Sequence, residues 1–445
     1  MDNSGEKVIT FDALNLHQTI KGFGGAFTDA VGINLLDLSR EGRELLLKQY
    51  YGTTGTEYTL GRIPITSTDF GLKEYSCLDT PGDFNLDTFA LQPEDYKYKL
   101  PFIKRAMELS KPIGGLKFFA SVWSAPAWMK SNNQMVGGGR LRGFEGGPYY
   151  VTWAKYFVKF LEAYDEEGVN FWAVTPQNEP TTGSDPNYRW QTMYFSPKME
   201  QNFVRDQLGP ILRNSSVGKN MEIIMLDDMR ETLPMWADVV LEDPEASKYI
   251  AGIGVHYYQD FVFPVSALST THEKHPDKYI LATEACEGFL EVGEGVSLGD
   301  YSRGEAYAHS IIEDLNNWVV GWMDWNLCLN PGGGPTFVNN IVDSPIIVEK
   351  ESGEFLKQPM YYALAHFTKF LKPGSQRATV ILPVCLPDQV FVLGALMNDG
   401  RRFMALLNRN SHENVTLSIT DIQHPGQYIN VDLPSRSMKS IVWNE

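Results

Sequence analysis

Cysteine is scarce in this chain. Cys77, Cys286, Cys328 and Cys385 are spread over 445 positions, and no two have CxxC spacing. That excludes a disulfide scaffold, a zinc ribbon and a dithiol redox centre. No HExxH occurs and the eight histidines are scattered, so no metal is expected. Basic residues fall short of acidic ones, 38 against 55, for a formal net charge of −17. Such a surface repels phosphate backbones, so no nucleic acid is expected as a partner. No apolar run approaches the ~18 residues of a membrane span. The opening Met1-Asp2-Asn3-Ser4-Gly5-Glu6 lacks the apolar core of a signal peptide.

Nucleotide signatures are missing too. Gly22-Phe23-Gly24-Gly25-Ala26-Phe27 puts Phe27 where a dinucleotide fingerprint needs its third glycine, and a tight turn after the first strand is expected instead. Gly137-Gly138-Gly139 and Gly332-Gly333-Gly334 are followed by no Lys-Ser/Thr, so they read as flexible loops rather than phosphate cradles. No cofactor is implied.

What is present is an alternation of strand and helix. Apolar runs at 22–26, 58–65, 116–122, 171–176, 221–226, 250–257, 279–283 and 319–325 predict eight strands, several buried on both faces. Between them lie helical periodicities at 40–51, 151–167 and 302–318. In the second, Trp153, Phe157, Phe160, Leu161 and Tyr164 share one face, and Gly168 follows as a stop. This predicts an α/β fold, a (β/α)8 TIM barrel over residues 18–372. After Lys372-Pro373-Gly374-Ser375 the pattern turns to strands and turns, with a hairpin signal at Asp399-Gly400. Residues 373–445, joined by 1–17, are expected to form a small antiparallel β-sandwich. Sequons at Asn214 and Asn414 are weak pointers to a glycoprotein.

Two segments carry the chemistry. Trp172–Pro180 is an apolar strand running into Asn178-Glu179-Pro180. Ile280–Glu287 is another, delivering Glu284. In the predicted order they close the fourth and seventh strands, at the catalytic face of a barrel. Two carboxyls converging on one hollow fit glycoside cleavage: one protonates the leaving oxygen and the other attacks or stabilises the anomeric carbon. A retaining enzyme holds them ~5–5.5 Å apart. His256 is expected as a hydrogen-bonded structural histidine, Asp227-Asp228 as salt-bridging or capping residues, and Cys286 as a buried thiol.

The stretches Ile20–Ala26, Trp153–Pro180, Ala282–Cys286, Val320–Pro331 and Val342–Ile347 resemble glycoside hydrolase family 30, in particular its acid β-glucosidases. The resemblance implies Glu179 as general acid/base and Glu284 as nucleophile. It places Asn178 on the sugar 2-hydroxyl, and Asp69, Trp123 and Trp325 on the glucose ring. Tyr258 would sit near the nucleophile and Asn340 at the rim. It implies glucosylceramide or another β-glucoside as substrate, transient membrane-surface contact, an activator protein, and a lysosomal or secreted setting, with a cytoplasmic one as the alternative. The rim segment 184–193 departs from the family pattern. A β-xylosidase, β-fucosidase or β-1,6-glucanase, and a non-catalytic glycolipid-binding protein, stay open as alternatives.

Overall fold

The computed structural model describes residues 7–290 and 294–444; the opening segment weighed for a leader lies outside them. The chain begins with strand β1 (Val8–Thr19) and then builds the barrel. Its strands are β2 (Gly22–Ala26), β3 (Leu60–Ile65), β4 (Lys117–Val122), β5 (Phe171–Val174), β6 (Glu222–Met229), β7 (Ile250–His256), β8 (Tyr279–Glu284) and β9 (Val319–Asn326). All pair in parallel and β9 closes on β2. Leu60, Phe119, Ala173, Ile224, Leu281, Val320 and Met323 fill the lumen. Side chains two apart on a strand share a face, so Arg62 lies one layer above Leu60, toward the catalytic end.

The helices begin and end where local chemistry dictates. Ser39 caps Arg40–Tyr51 by accepting the Gly42 N–H at 3.0 Å. Pro148 starts Pro148–Glu166, and Gly168, with φ +80°, turns the chain away from its end. The face carrying Trp153, Phe157, Phe160, Leu161 and Tyr164 is buried against the barrel. No helix among the described residues is long and apolar enough to cross a membrane.

Two glycine readings need correction. Gly22–Ala26 is itself the first barrel strand, not a turn after it. A Cβ on Gly24 would stand 1.9 Å from the Leu60 carbonyl oxygen, so the glycines serve close strand approach. The triple glycine at 137–139 is not a loose loop. The Gly138 N–H donates to the Asp185 carbonyl and the Gly139 N–H to that of Gly183, both at 2.9 Å. A Cβ on Gly138 would meet the Asp185 oxygen at 2.4 Å.

A short hairpin, β10 (Ile346–Glu349) and β11 (Glu354–Lys357), follows the barrel. The side domain adds β12 (Gln376–Ile381), β13 (Val390–Leu396), β14 (Arg402–Asn408), β15 (Val415–Asp421), β16 (Ile429–Leu433) and β17 (Ser437–Trp443). The expected sandwich is a single seven-stranded sheet in the order β16-β15-β1-β12-β13-β14-β17. Asn408 on β14 donates to the Leu433 carbonyl at 3.2 Å, and Arg402 on β14 pairs with Asp421 at 3.0 Å, so the sheet curls over its own core. It is antiparallel except where β1 runs parallel to β15. No hairpin joins those two strands, so nothing forces opposite directions. Its other face, with Leu393, Phe403, Ala405 and Leu407, packs into the barrel's outer core. Both sequon asparagines are exposed.

The seam between β2 and β3 yields a stability prediction. Gly24→Ala should destabilise the fold by about 1–3 kcal/mol, the range for overpacking. Urea titration of the variant against the parent chain checks it.

Candidate active site

A cavity of about 250 Å³ opens at the C-terminal end of the barrel strands. Asp69, Trp123, Asn178, Glu179, Tyr258, Glu284, Trp325 and Asn340, all singled out in the sequence, line it together. Phe70, Tyr188, Arg189, Trp190, Met229, Cys286, Phe289 and Val342 complete the wall.

Glu284 is the last residue of β8. Glu179 is not at a strand end, as the sequence reading had it. β5 stops at Val174, and Glu179 sits five residues on, in a turn with φ +44°. Its N–H donates to the Asp227 carbonyl at 2.9 Å, which fixes that turn against β6. A carboxylate oxygen of Glu179, one of Glu284 and a ring nitrogen of His256 all lie within 4.8 Å of one another. That spacing belongs to the retaining class; an inverting pair stands ~6.5–9.5 Å apart to admit water.

Arg62 organises the floor, and the sequence reading missed it. Its side chain is wholly buried. It donates from Nη1 to Glu284, from Nη2 to Asn178 Oδ1 and Asp227 Oδ2, each at 2.8 Å, and from Nε to Ser121 at 3.2 Å. The guanidinium lies 4.9 Å from the Trp123 ring centre and 5.5 Å from that of Trp325. With Oδ1 of Asn178 held by Arg62, its amide NH2 is the donor left for a ligand. The signal was legible: an arginine amid Leu60-Gly61-Arg62-Ile63-Pro64-Ile65, where a doubly buried strand should be apolar.

His256 and Asp227 form the second half of the floor. Nδ1 of His256 bonds Glu179 Oε1 at 3.1 Å and Nε2 bonds Asp227 Oδ1 at 3.0 Å. Burial opposes a charge on the ring, but Glu284, Asp227 and Glu179 outweigh it and push its pKa up to about 10. The ring is therefore an imidazolium with two N–H donors. Both nitrogens are engaged, so although Glu179, His256 and Glu284 are ligand-type groups, the histidine has no lone pair for a metal.

Tyr258 donates to Glu284 Oε1 at 2.6 Å. Burial raises the Glu284 carboxyl above its usual 4.5, while Arg62, His256 and the Tyr258 hydroxyl draw it back. Tyr188 donates to Glu179 Oε2 at 3.3 Å, and its ring lies 4.6 Å from that of Trp190. Across the pocket Trp123 and Trp325 stack at 5.1 Å with planes 19° apart. Asn340 donates to Asp69 at 2.8 Å. Burial, with Glu284 and Glu179 adding like charge, pushes Asp69 up to about 7.

Paired carboxyls at retaining distance, beneath an aromatic wall on a (β/α)8 barrel, define a glycoside hydrolase. Comparison with known proteins agrees. Residues 20–371 match the glycosyl hydrolase family 30 TIM-barrel domain, and the chain belongs to that family. It is 46% identical to lysosomal acid glucosylceramidase of Mus musculus over 93% of this chain and 79% of that protein. Among solved structures it resembles SrfJ from Salmonella typhimurium, with a TM-score of 0.90 and 27% identity over 100% of this chain and 94% of that one. It also resembles the endo-β-1,6-glucanase BT3312, with a TM-score of 0.82 and 26% identity over 98% and 94%.

Two predictions arise from these charges. Tyr258→Phe removes a hydrogen bond to a charged group worth about 1.5–3 kcal/mol, so kcat/KM should fall tenfold or more, as RT ln 10 is about 1.4 kcal/mol. With that donor gone Glu284 ionises less readily, so the acidic limb of the pH–rate profile should move to higher pH. The second concerns stability. Burial raises Asp29 and Asp228 to about 6, and Asp69, Glu200, Asp260 and Glu287 to about 7. A carboxyl raised on folding binds more protons folded than unfolded, so its stabilisation is present at low pH and lost as pH rises through the folded value. Asp227, despite its burial held well below 3.8 chiefly by Arg62, and Glu44, lowered to about 2, act oppositely, but only below their unfolded values of 3.8 and 4.5. His17, His272, His309 and His366, lowered by burial, also oppose up to about 6.5 but are outnumbered by the raised carboxyls. The melting temperature should therefore fall as pH rises across the window from about 5 to about 7.5, measurable by calorimetry.

Proposed function

We propose that this enzyme hydrolyses glucosylceramide to glucose and ceramide with retention, through a covalent glucosyl-enzyme on Glu284. The observation that carries the reading is the approach of Glu179 and Glu284 to within 4.8 Å beneath the stacked Trp123 and Trp325 rings. In this mechanism Glu284, ionised and held by Arg62 and Tyr258, attacks the anomeric carbon. Glu179 gives its proton to the aglycone oxygen. Glu179 then takes a proton from water, which opens the glucosyl ester and frees glucose. Asn178 serves the 2-hydroxyl through its NH2, a contact that strengthens as the oxocarbenium character grows. Asp69 and the indole N–H groups serve the remaining hydroxyls.

The lipid half of the substrate is supported by the rim. Phe289, Trp190, Met229 and Val342 give the pocket an apolar lip. Beyond it the loops after β7 and β8 expose Phe261, Val262 and Leu290, each more than half accessible. Such residues suit transient contact with the membrane in which ceramide resides. The identity to a lysosomal relative, and carboxyls that favour the protonated state, support an acidic compartment.

The test is turnover of a fluorogenic β-glucoside and of glucosylceramide in detergent micelles. Glu284→Gln should abolish both. Glu179→Gln should lower turnover of glucosylceramide, whose ceramide alkoxide is a poor leaving group, by about 10²–10⁴-fold, the worth of general acid catalysis. Faster cleavage of a β-xyloside or a β-1,6-linked glucan than of the glucoside would overturn the substrate assignment. Full activity in Glu284→Gln would overturn the mechanism.

A further inference from the structure

Glu200 takes no part in the chemistry above, and it has no water to face. It sits on the short helix Pro197–Phe203, outside the barrel wall, and is 2% exposed. Its Oε2 accepts the indole N–H of Trp236 at 2.5 Å, and its Oε1 accepts the backbone N–H of Leu226 at 3.0 Å. Burial pushes its carboxyl up to about 7. An acidic group so placed is destabilising unless it satisfies something the fold cannot satisfy otherwise.

What it satisfies is a break in β6. The ladder between β6 and β7 slips register between Leu226 and Asp228. Leu226 and Asp227 take φ values of +71° and +54°, the left-handed region, without being glycine. Such residues persist only where their surroundings over-determine them. A bulge also strands a backbone N–H from the ladder, and here Glu200 receives it. The same bulge turns Asp227 into the active site. There its carbonyl holds the Glu179 N–H at 2.9 Å, and its carboxylate holds Arg62 at 2.8 Å, Thr175 at 2.7 Å and His256 at 3.0 Å.

We propose that Glu200 is a positioning residue for Glu179: by holding the Leu226 N–H from outside the barrel, it locks the bulge whose next residue aims the general acid. The inference rests on Glu179 being that acid, and the test separates the two. Glu200→Gln and Trp236→Phe are assayed on two substrates. A dinitrophenyl β-glucoside leaves without protonation, whereas an alkyl β-glucoside needs it. Glu200→Gln should lower kcat/KM for the alkyl glucoside about tenfold or more, part of the ~10²–10⁴-fold worth of the acid, and change the dinitrophenyl rate less than about threefold. Trp236→Phe, which leaves the carboxylate with one donor fewer, should show the same preference in weaker form. A purely structural role would lower melting temperature, or both rates alike, and leave their ratio at the wild-type value; that result overturns the proposal. Should Glu200→Gln not fold, the ratio in Trp236→Phe decides alone. Glu179→Gln is run alongside. If it alone shows leaving-group dependence, the positioning role is wrong. If it shows none, the acid assignment falls and the positioning role falls with it.

Discussion

A single buried guanidinium holds the catalytic end of this barrel together. Arg62 reaches a side chain on β4 (Ser121), one on β6 (Asp227), one on β8 (Glu284), and Asn178 beyond β5. Stripped of its partners, a charge in that place would destabilise the fold by several kcal/mol. The barrel therefore closes in a way that brings all four acceptors to it. Lysine could not substitute, since one ammonium lacks the planar fork that spans acceptors on opposite walls. Arginine at this point makes the geometry of the reaction and the closure of the fold one and the same constraint.

Strain gathers around that constraint. Glu179, Leu226 and Asp227 all take left-handed φ values, and all three belong to the contact between the loop after β5 and the bulge of β6. Left-handed φ values recur at Thr66, just after β3, and at Trp318, just before β9, while the capped helices and apolar strands agree with local propensity. Residues that break a local rule are expected where a chain gives up stability for function. Here the hydrogen bonds from the Glu179 N–H to Asp227 and from Leu226 to Glu200 are what keep the strained backbone in place.

Much of this was legible in the sequence, for identifiable reasons. The eight barrel strands are continuous apolar runs with helices between them, and burial on both faces writes that pattern directly. Glu284 was legible because it ends such a run. Glu179 was legible as Asn178-Glu179-Pro180, though the reach of its loop was not, since backbone φ at a non-glycine residue leaves no compositional trace. β12 and β16 were hidden by their polar residues: those of β12, at the centre of the sheet, are partly buried, and those of β16, at its edge, face solvent. The parallel pairing of β1 with β15 was out of reach, because partners 410 residues apart, such as Val8 and Ser418, share no local signal. Arg62 was visible as an intruder in Leu60–Ile65, but its meaning depends on Asp227, Asn178 and Glu284, which only the closed barrel brings within reach.

The arrangement of cations also bears on how the proposed reaction proceeds. In the proposed first step Glu179 hands its proton to the aglycone as Glu284 loses its negative charge to the glucosyl bond. Once the glucosyl ester forms, Glu284 is neutral and Glu179 has become the anion. The site's net charge is unchanged; one unit has moved between two carboxyls whose oxygens lie within 4.8 Å. Each end of that path has its own fixed cation: Arg62 binds Glu284, and His256 binds Glu179 through Nδ1. Asp227 bonds both cations, so neither can follow the charge. Held in a water-poor floor, fixed donors stabilise the anion at either end without reorganising, which is the source of electrostatic catalysis. A lone cation at one end would favour one state over the other. Two cations tied to one aspartate favour the transfer between them.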